Sequence, residues 1–157
     1  MPTSTVTATA TVTVTSSPPS GGDVYTTPGY HNVNGRKWFT TCEPYSVTWR
    51  CTTEIWATSV TLKAGTFEKS SGWFFNNLTY LPSKRTAWAK NPLGYTGSWT
   101  STEGRQWRTE CDTATTGGNG CRSYIRAKVV ESTKRSNGSY SYAMIEKWIF
   151  NNIVLFS

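Results

Sequence analysis

The chain reads as an all-β protein, two pseudo-symmetric, disulfide-stapled β-repeats that form one compact sandwich- or barrel-like domain. Three observations predict this. Gly35-Arg36-Lys37-Trp38-Phe39-Thr40-Thr41-Cys42-Glu43 returns as Gly104-Arg105-Gln106-Trp107-Arg108-Thr109-Glu110-Cys111-Asp112, and Trp73-Phe74-Phe75-Asn76-Asn77-Leu78 returns as Trp148-Ile149-Phe150-Asn151-Asn152-Ile153. A repeat in fixed order specifies architecture. The four cysteines fall in two pairs, one per copy. The matched residues also alternate along the chain, the period of a strand.

Residues 1–23 differ in kind from the rest. They hold Thr, Ser, Ala and Val in near alternation, then Ser16-Ser17-Pro18-Pro19-Ser20-Gly21-Gly22. This composition predicts a disordered stalk of the sort that joins modules in exported proteins. It has no basic start, apolar run and small-residue cleavage site in series, so it is not read as a signal peptide. No stretch is long and apolar enough to predict a membrane-spanning helix.

The domain is expected over 24–157, its repeats at about 24–82 and 92–157. In each copy Arg, Trp, Thr and Cys share one face of the first strand, as Arg36, Trp38, Thr40 and Cys42 or as Arg105, Trp107, Thr109 and Cys111. The positions between them have diverged, Lys37, Phe39 and Thr41 standing against Gln106, Arg108 and Glu110. A kept face beside a drifting one predicts an inward and an outward side, which makes the motif a core signature. Loops follow at 43–50 and 112–120, the second glycine-rich and read as a bare turn. Strands return through 55–62 and 123–131 and close through 73–81 and 148–156. Helical periodicity is weak and confined to 84–90.

Cysteines spaced this way predict disulfides in an oxidising compartment. Pairing Cys42 with Cys51 and Cys111 with Cys121 staples each repeat on its own, while a crossed pairing also respects the symmetry. The spacing within each pair is too long for a zinc knuckle, and the single histidine, His31, lies outside the motif. No metal and no cofactor is expected. The net charge of +7 predicts attraction to polyanions.

Asn76-Asn77 and Asn151-Asn152 interrupt apolar strands, where Asn is disfavoured. They predict a bulge or bend in which Asn takes a left-handed conformation and its amide serves the backbone; the alternative is a polar pair that hydrogen-bonds a sugar or peptide. The sequon at Asn77-Leu78-Thr79 has no counterpart in the second copy and is read as accidental. Unduplicated residues are the expected place for function. Tyr45, Trp49 and Arg50 in the first cysteine loop, with Trp88, Tyr95 and Trp99 between the copies, are the candidate binding residues, since aromatic faces beside Arg or Asn hold sugar rings and unstacked bases. One histidine allows no Ser/His/Asp set, and paired cysteines leave no thiol nucleophile. A two-carboxylate hydrolase would use Glu43 and Asp112.

The Gly-Arg-x-Trp-x-Thr-x-Cys-Glu/Asp and Trp-x-Phe-Asn-Asn motifs, with Asn91-Pro92-Leu93 between them, resemble a C-terminal module of secreted actinobacterial proteins over residues 25–157. That module has no assigned activity, so the resemblance carries over no site residue. It implies export to a Gram-positive envelope, secreted or at the cell surface. Nucleic acid is not expected as a partner. The expected function is therefore a monomeric, non-catalytic extracellular module that binds or decorates cell-wall glycan or anionic wall polymer. The alternatives are a structural or protein-interaction module, such as an adhesin or inhibitor, and a wall hydrolase.

Overall fold

The computed structural model describes residues 23–157, so the expected stalk lies outside the described residues except for Asp23. The protein is all-β. Its strands are β1 (Gly29–Val33), β2 (Arg36–Tyr45), β3 (Thr48–Lys63), β4 (Thr66–Ser83), β5 (Gly97–Thr100), β6 (Gln106–Cys111), β7 (Gly120–Lys134) and β8 (Tyr140–Phe156). Short 3₁₀ turns at Arg85–Trp88, Pro92–Gly94 and Ala114–Thr116 complete it. The weak helical signal at 84–90 falls on the first of these.

Turn chemistry shapes the hairpins. Asn34 and Gly35 (φ 52° and 76°) and Ala64 and Gly65 (φ 48° and 80°) are left-handed pairs that match strand twist in tight hairpins. The loop expected at 43–50 is shorter than predicted: β2 runs to Tyr45 and β3 begins at Thr48, because the cysteines lie opposite each other and hold the strands together. The loop at 112–120 is likewise not bare, since Thr113 and Thr116 bond each other to form the third 3₁₀ turn.

All eight strands form one sheet in the order β1-β2-β3-β4-β8-β7-β6-β5. Each half is an antiparallel meander, and the halves meet where β4 and β8 run parallel, Leu78 opposite Asn152, Thr79 opposite Ile153 and Tyr80 opposite Val154. A two-fold axis lying along the strands, between β4 and β8, would generate this order. Such an axis turns one half over relative to the other. The register agrees: Leu78 alternates with Asn77, yet its neighbour across the join is Asn152, the counterpart of Asn77.

Each side of the sheet therefore carries the kept face of one copy and the diverged face of the other. On one side Tyr45, Leu78 and Tyr80 of the first half pack with Cys111, Cys121, Val154 and Phe156 of the second, under Trp88 and Leu93. On the opposite side the Tyr25 ring meets Trp38 at 6.3 Å and Phe150 at 6.2 Å, and the Thr40 hydroxyl donates to the Val24 carbonyl at 2.6 Å.

The disulfides are Cys42–Cys51 and Cys111–Cys121, the local pairing, each between register partners on adjacent strands. Beside them lies a polar core. Thr40 faces Thr53 and Thr109 faces Ser123, hydroxyl to hydroxyl at 3.3 and 2.7 Å. Asn77 and Asn152 are fully buried. Register shifts at Thr53/Glu54 and Ser123/Tyr124 leave Asn76 and Asn151 as the extra residues of two bulges, as the paired asparagines predicted. The left-handed conformation expected there does not occur: no Asn of either pair has positive φ. The extra residue instead donates its amide to the next Asn, Asn76 to Asn77 at 2.7 Å and Asn151 to Asn152 at 2.9 Å.

The two polar cores differ by the Thr53 methyl, which Ser123 lacks, and by one hydrogen-bonding group. Asn77 Nδ2 donates to Thr79 Oγ1 at 3.2 Å, whereas the residue equivalent to Thr79 is Val154 and Asn152 Nδ2 is buried without a partner. A buried unpaired donor costs about 1–3 kcal/mol. Val154→Thr is expected to raise stability in urea by about 1 kcal/mol and Thr79→Val to lower it by about 1–2 kcal/mol; equal effects of the same sign would contradict this reading. Each disulfide closes a loop of about ten residues. Replacing either pair by serines is expected to lower unfolding free energy by about 2–3 kcal/mol, read from denaturant midpoints.

Candidate functional site

Three of the six predicted residues come together. Arg50 lies 4.8 Å over the Tyr45 ring, Tyr45 meets Tyr80 at 5.1 Å, and Tyr80 meets Trp88 edge-on at 5.0 Å. The cleft beside them, lined by Tyr45, Thr48, Ser83, Trp88 and Asn91, measures about 110 Å³. That is smaller than the roughly 150 Å³ cavity that holds a benzene. It admits a small substituent, not a sugar ring. Trp88 is 5% exposed and donates its indole N–H to Ser83 Oγ at 3.0 Å, so most of it serves the core.

The other three lie apart. Trp49 precedes Arg50 on β3 and so points to the opposite side of the sheet. Trp99 stacks on the duplicated Trp107 at 5.6 Å and 13°. Tyr95 is exposed on the segment before β5. The buried Asn77 of the sequon offers no amide to a glycosylating enzyme.

Glu43 and Asp112 are each held by an arginine, Glu43 by Arg50 at 2.7 Å and Asp112 by Arg85 at 2.6 Å. Arg85 also caps the Phe156 ring at 4.2 Å and donates to Asn119. These contacts give both carboxylates a structural part. Glu43, as the hydrogen-bond partner, raises the Arg50 guanidinium above its ordinary value. The Tyr80 phenol is raised by burial first and by Tyr45 next, with Arg50 pulling it down.

The residues that the sequence reading missed lie on the diverged face of the second half. Arg108, Tyr124 and Phe150 form a row across β6, β7 and β8, with Arg126 and Trp148 paired beside it and Arg122 next to Tyr124's strand neighbour. Arg108 sits 4.4 Å over Tyr124 and 5.4 Å from Trp148; Arg122 sits 3.7 Å over Phe150; Arg126 lies 5.7 Å from Trp148. Guanidinium groups laid on half-buried rings are held in place and partly stripped of water. Arg108 is also paired with Glu110, and Arg126 with Glu146 at 4.0 Å. Among the described residues no carboxylate lies within 4 Å of Arg122, and its Nε is buried without a partner.

A groove of about 530 Å³ continues this surface past Arg126 to Arg105 and Lys128, with Glu103 and Glu146 on its walls. The first copy has nothing comparable. Phe39, Thr52 and Trp56 stand where Arg108, Arg122 and Arg126 stand in the second. Position-by-position alignment of the copies beyond the shared motifs carries this signal.

Among the described residues no group of three or more His, Cys, Asp or Glu is placed to hold a metal, and no helix is long and apolar enough to cross a membrane. No protein-family model, curated protein or solved structure matches the chain, so nothing is transferred to its residues from a relative.

The raised Tyr80 pKa makes alkaline stability a test of this geometry. The folded phenol holds its proton above the unfolded value of 10.0, so its contribution is complete below pH 10 and is lost as pH rises through the higher folded value. Tyr80→Phe is expected to flatten the decline in stability above pH 10, read by urea titration; an unchanged slope would assign the decline to other groups.

Proposed function

We propose that the chain is a non-catalytic extracellular binding module for an anionic envelope polymer. The observation that carries this reading is the arginine and aromatic face of the second half. Its ring faces are covered by guanidinium groups, which disfavours sugar stacking there and favours anions. Arg122, which faces Glu110 across the ladder but has no carboxylate within 4 Å among the described residues, is its centre. Arginines fixed on rings lose little freedom on binding, so their charge is available to a phosphate or carboxylate at low entropic cost.

The wider properties agree. The net charge of +7 draws polyanions toward the surface. Two disulfides and no free cysteine among the described residues are compatible with an oxidising, extracellular setting. The arginines that hold Glu43 and Asp112 support a binding part over a hydrolytic one.

The test is sedimentation of the full chain with purified Gram-positive cell walls, before and after extraction of anionic polymer. Binding is expected to untreated walls, to fall after extraction, and to weaken with rising salt because exposed charges are screened beyond about 8–10 Å. Arg122→Ala with Arg126→Ala is expected to weaken it about tenfold or more, and Trp49→Ala to matter little. Equal binding to extracted walls, or no binding to either preparation, would overturn the proposal.

A further inference from the structure

The diverged face of the first half lies on the other side of the sheet from Arg108, Arg122 and Arg126, and away from Tyr45, which Arg50 covers, it carries a group of rings with no cation over them among the described residues. Tyr30 and Phe39 are register partners with ring centroids 4.4 Å apart. Trp73 closes the group, 5.9 Å from Tyr30, 6.2 Å from Phe39 and 5.6 Å from Trp56. Tyr30 is 75% exposed and Trp56 44%, large values for rings packed on one another.

A cleft of about 260 Å³ lies against Tyr30 and Trp73, bordered by Asn32 and Lys37. It exceeds the roughly 150 Å³ cavity that holds a benzene. Asn32 and Lys37 are register partners on β1 and β2, and alternation places them on the same side as Tyr30 and Phe39. Among the described residues no carboxylate lies within 4 Å of Lys37. Glu54, the register partner of Phe39, is on this side but does not line the cleft.

We propose that this cleft is a subsite for a pyranose ring bearing a carboxylate, an inference that rests on the reading of the chain as a binder of anionic polymer. The apolar C–H face of the sugar lies on Trp73 and Tyr30, the carboxylate meets the Lys37 ammonium, and the Asn32 amide serves a hydroxyl. Lys37 on the cleft wall, which His31 also lines, complements an acidic sugar better than a neutral one. The cleft is ring-sized with a polar rim, which suits a sugar residue better than the broad apolar area a protein partner needs. Because this side is opposite the arginine face, one chain holds two polymer strands and bridges them.

The test is calorimetric titration of the full chain with tetragalacturonate, an acidic sugar chain, and with inorganic polyphosphate, a polyanion without rings. Two tetragalacturonate sites per chain are expected. Tyr30→Ala with Lys37→Gln is expected to remove one of them, weakening it about tenfold, and to leave polyphosphate binding unchanged. Lys37→Glu, which keeps every ring, is expected to do the same, and circular dichroism checks that both variants fold. Tetragalacturonate binding that survives these changes at full stoichiometry overturns the subsite, as does wild-type binding of polyphosphate alone; the anionic-polymer reading stands in both cases. Wild-type binding of neither probe overturns both.

Discussion

The parallel contact between β4 and β8 is the constraint on which the rest of the structure depends. It is short, from Leu78 to Ser83 against Asn152 to Phe156, yet it is the join between two otherwise complete antiparallel meanders. A parallel join between equivalent strands turns one copy over. An antiparallel join would have kept both diverged faces on one side. The bulges at Asn76 and Asn151 stand just before the join in each strand, where added twist lets the long hairpins leave it. Farther out the hairpins meet again, Phe67 against Tyr142 at 5.4 Å.

This geometry explains what each copy was free to change. Thr40, Thr53 and Cys51 in the first half, and Thr109, Ser123 and Cys121 in the second, are all buried beside a disulfide. Substitution there opens a void or strands a hydroxyl, so these positions match between copies except that Ser123 stands for Thr53 and keeps the hydroxyl. With exceptions at the core such as Thr48 and Tyr45, most alternate positions on β2 and β3, and on β6 and β7, are partly or fully exposed and tolerate change. They became Phe39 and Trp56 on one side of the sheet and Arg108 and Arg126 on the other. Corresponding surfaces of the two copies thus have two chemistries pointing in opposite directions.

Much of the scaffold was legible because it rests on local rules. Cysteines nine and ten residues apart on returning strands fall opposite each other, and a paired Asn inside an apolar strand marks a bulge. The strands β1 and β5 were not placed, since Gly29–Val33 and Gly97–Thr100 are too short to show a period. The parallel join was not legible either, because it depends on residues 74 positions apart in sequence, such as Leu78 with Asn152. Residue type alone misled where Asn was given a left-handed backbone, since a side-chain bond to the next Asn supplied the alternative. The arginine face went unread for a related reason. Arg108, Arg122 and Arg126 are scattered in sequence, and only the register of three strands brings them over the same rings.

We place polyphosphate recognition on the diverged face of the second half. Amide and arginine side-chain resonances followed by nuclear magnetic resonance during addition of inorganic polyphosphate test it most directly. Shifts confined to Arg108, Arg122, Arg126, Lys128 and their ring partners Tyr124, Trp148 and Phe150, with Tyr30 and Trp56 unmoved, are the predicted result. Shifts centred instead on Tyr45, Arg50 and Lys84, or spread evenly over both sides of the sheet, would contradict the account.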